Sequence, residues 1–406
     1  MRMKKIKKGE LDSLCIYRGV LENPAVKAAA ELALCDDEKK GEKYGELFCA
    51  LADAGAEENL SGYIASLVLS DDNPFSRRSA FGKQCSDSLL AGVSHDLKIL
   101  QELANARPED MYENVHSENL PLWKNGNAPE PLGEGDWSAE AKELWEYHKK
   151  NSYGVFAKYK AFSWRNGSLE PIGCTNPIKL EELKSYEYQR GLVVENTINF
   201  IEGLPANNVL LYGDRGTGKS STVHAILNEF ADRGLRMVEM PKSAICQFPA
   251  LIKILSALPL KFIVFIDDLS FSAGDDSFAE LKAALEGGLS ARQANTLIYA
   301  TSNLRHLVRE KFSDRDGDDL HSGDARQEQM SLSDRFGLSV TFVNPDRMKF
   351  YDILDGIAAD RGLEVDSEEL HAKGEKWALE RGGRSPRVAK QFINVVEASI
   401  KRGLDW

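Results

Sequence analysis

The sequence predicts a parallel α/β sheet with helices on both faces, preceded by an all-helical domain and followed by a small helical appendage. Three observations carry this. From about Pro177 short apolar runs alternate with helical stretches, the pattern of βα units. Before that, Glu22 to Leu103 is rich in Ala and Leu at helical spacing, and after Pro345 the pattern is helical to the end. With 406 residues, at roughly 100 to 200 residues per domain, two or three domains are expected. The boundaries fall at 1–176, 177–344 and 345–406.

Taken in order, Ala25 to Leu34 and Ser86 to Leu100 place apolar residues on one helical face. The stretch Asn125 to Gly135 holds Pro129, Pro131, Gly126, Gly133 and Gly135, which end a helix. Trp137 to Lys150 resumes a helix behind Ser138, and the aromatic content of Tyr153 to Trp164 predicts a strand. A helix is expected over Glu181 to Glu202, a buried strand over Asn208 to Tyr212 and a helix over Ser220 to Arg233. Further strands are expected at Met237–Met240, Phe262–Ile266, Leu297–Ala300 and Val340–Val343. Three last helices follow, over Asp346 to Arg361, Ser367 to Arg381 and Pro386 to Arg402.

Composition narrows the classes. Hydrophobic residues at 42% and charged residues at 28% describe a folded chain with a sizeable core. The 51 Lys and Arg against 63 Asp and Glu leave a net charge of -12, which repels polyphosphate surfaces on average. The apolar runs are far shorter than the roughly 20 residues that span a bilayer, so no membrane segment is expected. The basic amino terminus lacks an apolar stretch behind it, and the six cysteines are scattered. Both point to a reducing cytoplasm. The seven histidines show no metal-binding spacing, so zinc is not predicted. The segment Pro74 to Gly82 mixes basic and aromatic residues and reads as a loop anchor before a nucleic-acid contact. The charged run Asp314 to Met330 reads as a solvated loop, with a switch loop as the sharper alternative.

The chemistry is concentrated after one strand. Gly213-Asp214-Arg215-Gly216-Thr217-Gly218-Lys219-Ser220, followed by Ser221, matches G-x-x-x-x-G-K-[ST]. Glycines let backbone N–H groups turn around phosphate oxygens, and the helix start adds partial positive charge. Lys219 reaches the β- and γ-phosphates, and Ser220 offers its hydroxyl to Mg²⁺. The strand Phe262 to Ile266 ends in Asp267 and Asp268. There Asp267 serves as a second Mg²⁺ ligand, and Asp268 as the base that orients an attacking water. Leu297 to Asn303 is a further strand ending in small polar residues, with Asn303 placed toward the γ-phosphate. Arg335 precedes a strand and Arg387 begins a helix.

This order of phosphate loop, acidic strand end, Asn strand end, Arg-Phe box and helical lid resembles the AAA+ superfamily of P-loop NTPases, over about Pro177 to Trp406. The strings Pro205 to Ser221, Leu285 to Arg292 and Ala300 to Gly317 resemble an uncharacterised family of bacterial AAA+ ATP-binding proteins, known by a domain-of-unknown-function label. The resemblance implies ATP and Mg²⁺ as cofactors. It makes Asn303 the sensor 1 residue, Arg335 the arginine finger and Arg387 the sensor 2 arginine, with Arg384 as the fallback. The segment Ile178 to Gln189 resembles the stretch that cradles adenine, with Leu183 and Tyr186 as base contacts. An arginine finger usually enters the neighbouring subunit's site, so a homo-oligomer with Arg335 acting in trans is implied.

One departure is Asp267-Asp268 where many AAA+ hydrolases carry Asp-Glu. A carboxylate one methylene shorter reaches about 1.5 Å less far, so slow or partner-activated hydrolysis is expected. The leading expectation is an ATPase that remodels a macromolecular partner, protein favoured over nucleic acid, with the amino-terminal helices choosing that partner. The alternative is a slow or non-hydrolysing ATP-dependent switch, loader or adaptor. A phosphotransferase would need an acceptor pocket above the loop.

Overall fold

Residues 8–271, 276–286, 295–303 and 335–406 are described in the structure, a computed structural model. Gly287 to Arg292, Leu304 to Gly317 and the charged run Asp314 to Met330 lie outside the described residues. The chain divides into two compact units, Met1–Tyr159 and Lys160–Trp406.

The first unit is helical among its described residues. Its longer helices are Pro24–Leu34, Lys40–Ala54, Leu60–Leu69, Asp87–Ala104 and Ala141–Asn151, and three of them, the first, third and fourth, start behind a capping side chain. Asn23 accepts from the N–H groups of Ala25 and Val26 ahead of Pro24, and Ser86 accepts from Leu89 N–H. Leu47, Ile64, Val68, Leu97, Leu100 and Leu144 face one shared core. Phe75 is fully buried in it, and Arg77 is paired to Asp72 at 2.5 Å. The Pro74 to Gly82 segment, expected as a loop, is for most of its length the helix Pro74–Ala80.

Two buried polar groups organise this unit. Asp96 has no exposed surface, and its carboxylate accepts from the N–H groups of Cys15, Ile16 and Tyr17 at 2.6–3.0 Å. It pins the incoming chain to the longest helix of the unit. His148, also fully buried, donates from Nδ1 to the Ser152 carbonyl at 3.0 Å, while Ser152 N–H donates back to the His148 carbonyl at 2.8 Å. Among the described residues His148 Nε2 faces no hydrogen-bond partner, and burial lowers its pKa to about 4.

The second unit is built on seven described strands: β1 (Ala161–Arg165), β2 (Ser168–Ile172), β3 (Val209–Gly213), β4 (Leu235–Glu239), β5 (Lys261–Ile266), β6 (Thr296–Ser302) and β7 (Leu338–Phe342). Their order across the sheet is β2-β1-β4-β5-β6-β3-β7. Every pairing is parallel except the β1–β2 hairpin. Strand β3, which delivers the phosphate loop, lies between β6 and β7. The helix Lys219–Phe230 turns Val223, Ile226 and Phe230 onto Val209, Leu211 and Ile263 of the sheet. The helices Arg347–Asp360, Ser367–Glu380 and Pro386–Lys401 form a lid with its own core of Phe350, Ile353, Leu354, Phe392 and Ile393. Asp346, Asp366 and Ser385 cap these helices from the side chain, and each restarts the chain in a new direction.

The structure differs from the sequence expectation in two places. The single strand expected over Tyr153 to Trp164 is replaced by a short helix, Val155–Lys158, and the strand β1, which turns back into β2. Asn166 and Gly167 both have positive φ, 51° and 77°, the two-residue turn that closes a right-twisted hairpin. Because β1 pairs with β4, these strands belong to the sheet, and the units part at 159/160 where the sequence reading placed the division at 176/177. The helix expected from Glu181 begins only at Glu187, because Ser185 and Tyr186 take left-handed backbone angles (φ 66° and 64°) that interrupt it.

Candidate nucleotide site

All parallel strands end at the same edge, so the segments after β3, β5 and β6 converge outside their carboxyl ends, where α/β sheets bind ligands. There the phosphate loop runs from β3 into the helix Lys219–Phe230. Gly213, Gly216 and Gly218 have φ of 125°, 77° and 95°, angles that glycine adopts without strain. At Gly213 a Cβ would lie 2.0 Å from the Phe342 carbonyl oxygen, so β7 passes too close for any other residue. Thr217 donates to the Asp214 carbonyl at 2.8 Å, and Asp214 accepts from Asn344 N–H at 2.7 Å, which fixes the loop from within and from the end of β7.

Lys219 is buried. Its ammonium donates to the carbonyls of Gly213 and Asp214 at 2.9 and 2.6 Å and to Asn303 Oδ1 at 3.1 Å. Burial lowers its pKa, while the carboxylates of Asp214, Asp267 and Asp268 hold the proton on. Ser220 Oγ donates to Asp267 Oδ1 at 2.7 Å. The same oxygen accepts from Thr301 Oγ1, which also receives the Asp268 N–H at 3.0 Å. Asn303 closes the network by donating from Nδ2 to Asp268 Oδ1 at 2.6 Å. Thus Asn303 joins the lysine to the second carboxylate. Asp268 sits at φ 50°, a left-handed angle that Asp tolerates better than most side chains.

These groups line a cleft of about 1140 Å³. One wall is the segment before β3, including Leu183 and Tyr186, and another is the lid, including Ile353, Ile357 and Arg387. The Tyr186 ring packs on Phe342 at 5.3 Å, and its hydroxyl donates to the Val343 carbonyl at 2.7 Å. Burial, helped by Asp214, pushes that phenol up to about 12. The lid meets the loop directly, through Arg387 N–H to the Gly216 carbonyl at 3.1 Å.

The two lid arginines separate. Arg387 lines this cleft, whereas Arg384 makes a two-point pair with Glu375, its Nε 3.0 and 3.1 Å from the carboxylate oxygens. Arg335, half-buried just ahead of β7, does not line the cleft of its own chain. Thr301 was not singled out in the sequence, although its position two residues before Asn303 on a strand puts both side chains on the same face. That period-two relation was the available signal.

A family model described as Protein of unknown function (DUF815) matches residues 157–400, more than half of the chain. The chain belongs to this family. The matched region begins at Ala157 and so takes in the β1–β2 hairpin together with the sheet and lid. No curated protein matches the chain. Among solved structures it is similar to three variants of RuvB from Thermotoga maritima, with 15% to 18% identity and TM-scores of 0.37 to 0.40. The matches cover 55% to 56% of this chain and 65% to 67% of those chains. The architecture expected from the sequence, a parallel α/β sheet with a phosphate-loop motif after one strand and a helical lid, is the one this DUF815 chain adopts. Among the described residues no helix is long and apolar enough to cross a membrane.

Proposed function

We propose that this protein binds Mg-ATP in the cleft at the carboxyl edge of the sheet, hydrolyses it, and couples the cycle to rearrangement of a macromolecular partner, a protein before a nucleic acid. The observation that carries the reading is the continuous chain Ser220–Asp267–Thr301–Asp268–Asn303–Lys219, which brings the side chains needed for phosphoryl transfer to one place.

In this reading the backbone of residues 213 to 221 surrounds the phosphates, and Lys219 redirects its N–H donors from the Gly213 and Asp214 carbonyls to phosphate oxygens. Ser220 and Asp267 supply the hydroxyl and carboxylate oxygens that suit Mg²⁺, a cation that keeps several waters and few protein ligands. Bound there, the ion neutralises charge on the phosphates. Asp268 takes the proton of the attacking water as its oxygen bonds to the γ-phosphorus. The bond from that phosphorus to the bridging oxygen breaks, leaving ADP and phosphate. Asn303 orients the water, Arg387 stabilises the developing charge from the lid, and Leu183 and Tyr186 flank the base. Arg335 completes the site of a neighbouring protomer in a homo-oligomer. A cytoplasmic setting suits this nucleotide chemistry, and the helical unit selects the partner.

One observation favours a second reading, a slow or non-hydrolysing switch, loader or adaptor. The Asp268 carboxylate is short, and Asn303 already holds it at 2.6 Å. Steady-state ATP hydrolysis across protein concentrations, with nucleotide binding on the same samples, tests both. Asp268→Asn is expected to reduce turnover by about 10² or more while ATP affinity stays within a few-fold. Wild-type turnover in that variant would refute the assignment of the base, and a wild-type chain with tight binding but negligible turnover would select the switch.

A further inference from the structure

A second cleft, of about 530 Å³, adjoins the nucleotide cleft and shares Arg215, Gly216, Asp268, Asn303 and Arg387 with it. Its other wall is the lid turn from Arg381 to Ser385. We propose that this second cleft binds the carboxylate or phosphate group of a small anionic molecule, held beside the γ-phosphate position by Arg381 and Arg384. The inference rests on the nucleotide reading only for where that phosphate lies.

Charge is the first support. Arg215, Arg381, Arg384 and Arg387 line the cleft against Asp214 and Asp268. Glu375 and Glu380 pair with Arg384 and Arg381 from outside the lining, and with them counted four guanidiniums face four carboxylates. The two carboxylates of the lining are themselves engaged from the protein, Asp214 by Asn344 N–H and Asp268 by Asn303. The cationic excess thus belongs to the side chains that line the cleft, four guanidiniums to two carboxylates, in a chain whose net charge is -12.

Preorganisation is the second. The Arg381 guanidinium carbon stacks 3.3 Å from the Trp377 ring centroid, which engages the face of the guanidinium, and one terminal nitrogen lies 3.5 Å from Glu380, so the other N–H groups are left for in-plane bonds. Glu375 engages Nε and one terminal nitrogen of Arg384. A guanidinium has five N–H donors, so the remaining ones serve a further acceptor. Both side chains are thus held in place before a ligand arrives, which lowers the ordering cost of binding.

Size and global charge choose the occupant. About 300 to 1,000 Å³ is the range of small-molecule pockets, and 530 Å³ falls within it. A large polyanion would meet the repulsion of the whole acidic chain, whereas a small one feels chiefly the local arginines. Since Asp268 and Asn303 line both clefts, an anion bound here lies against the groups that handle the attacking water, and its arrival adjusts the rate of hydrolysis.

The test uses the full chain saturated with Mg²⁺ and a non-hydrolysable ATP analogue, titrated calorimetrically with citrate in one arm and glycerol 2-phosphate in the other. Saturable one-to-one binding in at least one arm is expected, and the responding arm identifies the headgroup. The double change Arg381→Ala with Arg384→Ala should weaken it at least tenfold while analogue affinity stays within twofold. Glu375→Gln, which releases Arg384, should tighten it about threefold, a gain that loss of structure would not produce. No saturable binding in either arm, unchanged affinity in the double variant, or displacement of the analogue by the anion would each overturn the proposal. If the analogue itself fails to bind the wild type, the nucleotide reading falls alone. The same titrations on Lys219→Ala then decide the anion site by the same tenfold dependence.

Discussion

At the scale of single residues, Thr301 has the clearest unforeseen effect. One hydroxyl donates to Asp267 and accepts the Asp268 N–H, so it sets the direction of one carboxylate and the backbone of the next. Groups that orient a metal ligand from behind are commonly worth about 10- to 100-fold in activity or metal affinity. Thr301→Val keeps the shape and removes the hydroxyl. It is expected to lower ATP turnover by about that factor and raise the Mg²⁺ concentration needed for half-maximal rate, with ATP affinity little changed. A Mg²⁺ titration of initial rates checks it, and Thr301→Ser should restore most of the loss.

Motif residues were legible because their types and spacing are dictated by phosphate chemistry. Thr301 was not, because a threonine in a strand is ordinary and only the β5–β6 pairing brings it beside Asp267. The separation of Arg384 from Arg387 was equally hidden. It depends on Glu375, nine residues from Arg384 and on the preceding helix.

At the scale of elements, the helix Ala141–Asn151 ends in a reciprocal pair, His148 and Ser152, sealed from water. The folded state favours neutral His148, whose pKa falls to about 4 from 6.5. Stability from this group is therefore complete above about pH 6.5 and is lost as pH falls from there to about 4. Over that window the loss is on the order of 3 kcal/mol, at about 1.4 kcal/mol per pH unit. Hydrogen exchange of residues 8–159 in the full chain should show protection in this helix declining over that range, with His148→Gln flattening the decline. Element types followed hydrophobic periodicity closely, from the strand before the phosphate loop to the three lid helices. Where they did not, the backbone decided: positive φ at Ser185 and Tyr186 delays a helix, and the Asn166-Gly167 turn folds one expected strand into two. That Asn-Gly pair was itself a readable hairpin signal.

At the scale of the whole molecule, the parallel sheet, its edge and the lid were all accessible from the alternation of short apolar runs with helices. The division between units was displaced because β1 joins the sheet only through pairing with β4, a contact between residues more than 70 positions apart. The proposed sharing of an active site between protomers makes a distinct prediction at this scale. Lys219→Ala and Arg335→Ala chains, each inactive alone, are expected to regain part of the ATPase activity when mixed. An interface that joins the intact loop of one protomer to the intact arginine of the other is complete. A mixture no more active than its components would exclude Arg335 acting between protomers.

The β1–β2 hairpin has a consequence for how far the sheet can grow. Without it, β4 would present an open row of backbone donors and acceptors, a template on which a further strand from another chain could stack. The hairpin occupies that row, and the outermost strand β2 carries Pro171, a residue with no N–H to offer to a newcomer. The sheet is thereby terminated on this side by its own sequence, and a protein rich in buried parallel strands is protected from open-ended strand-to-strand association there.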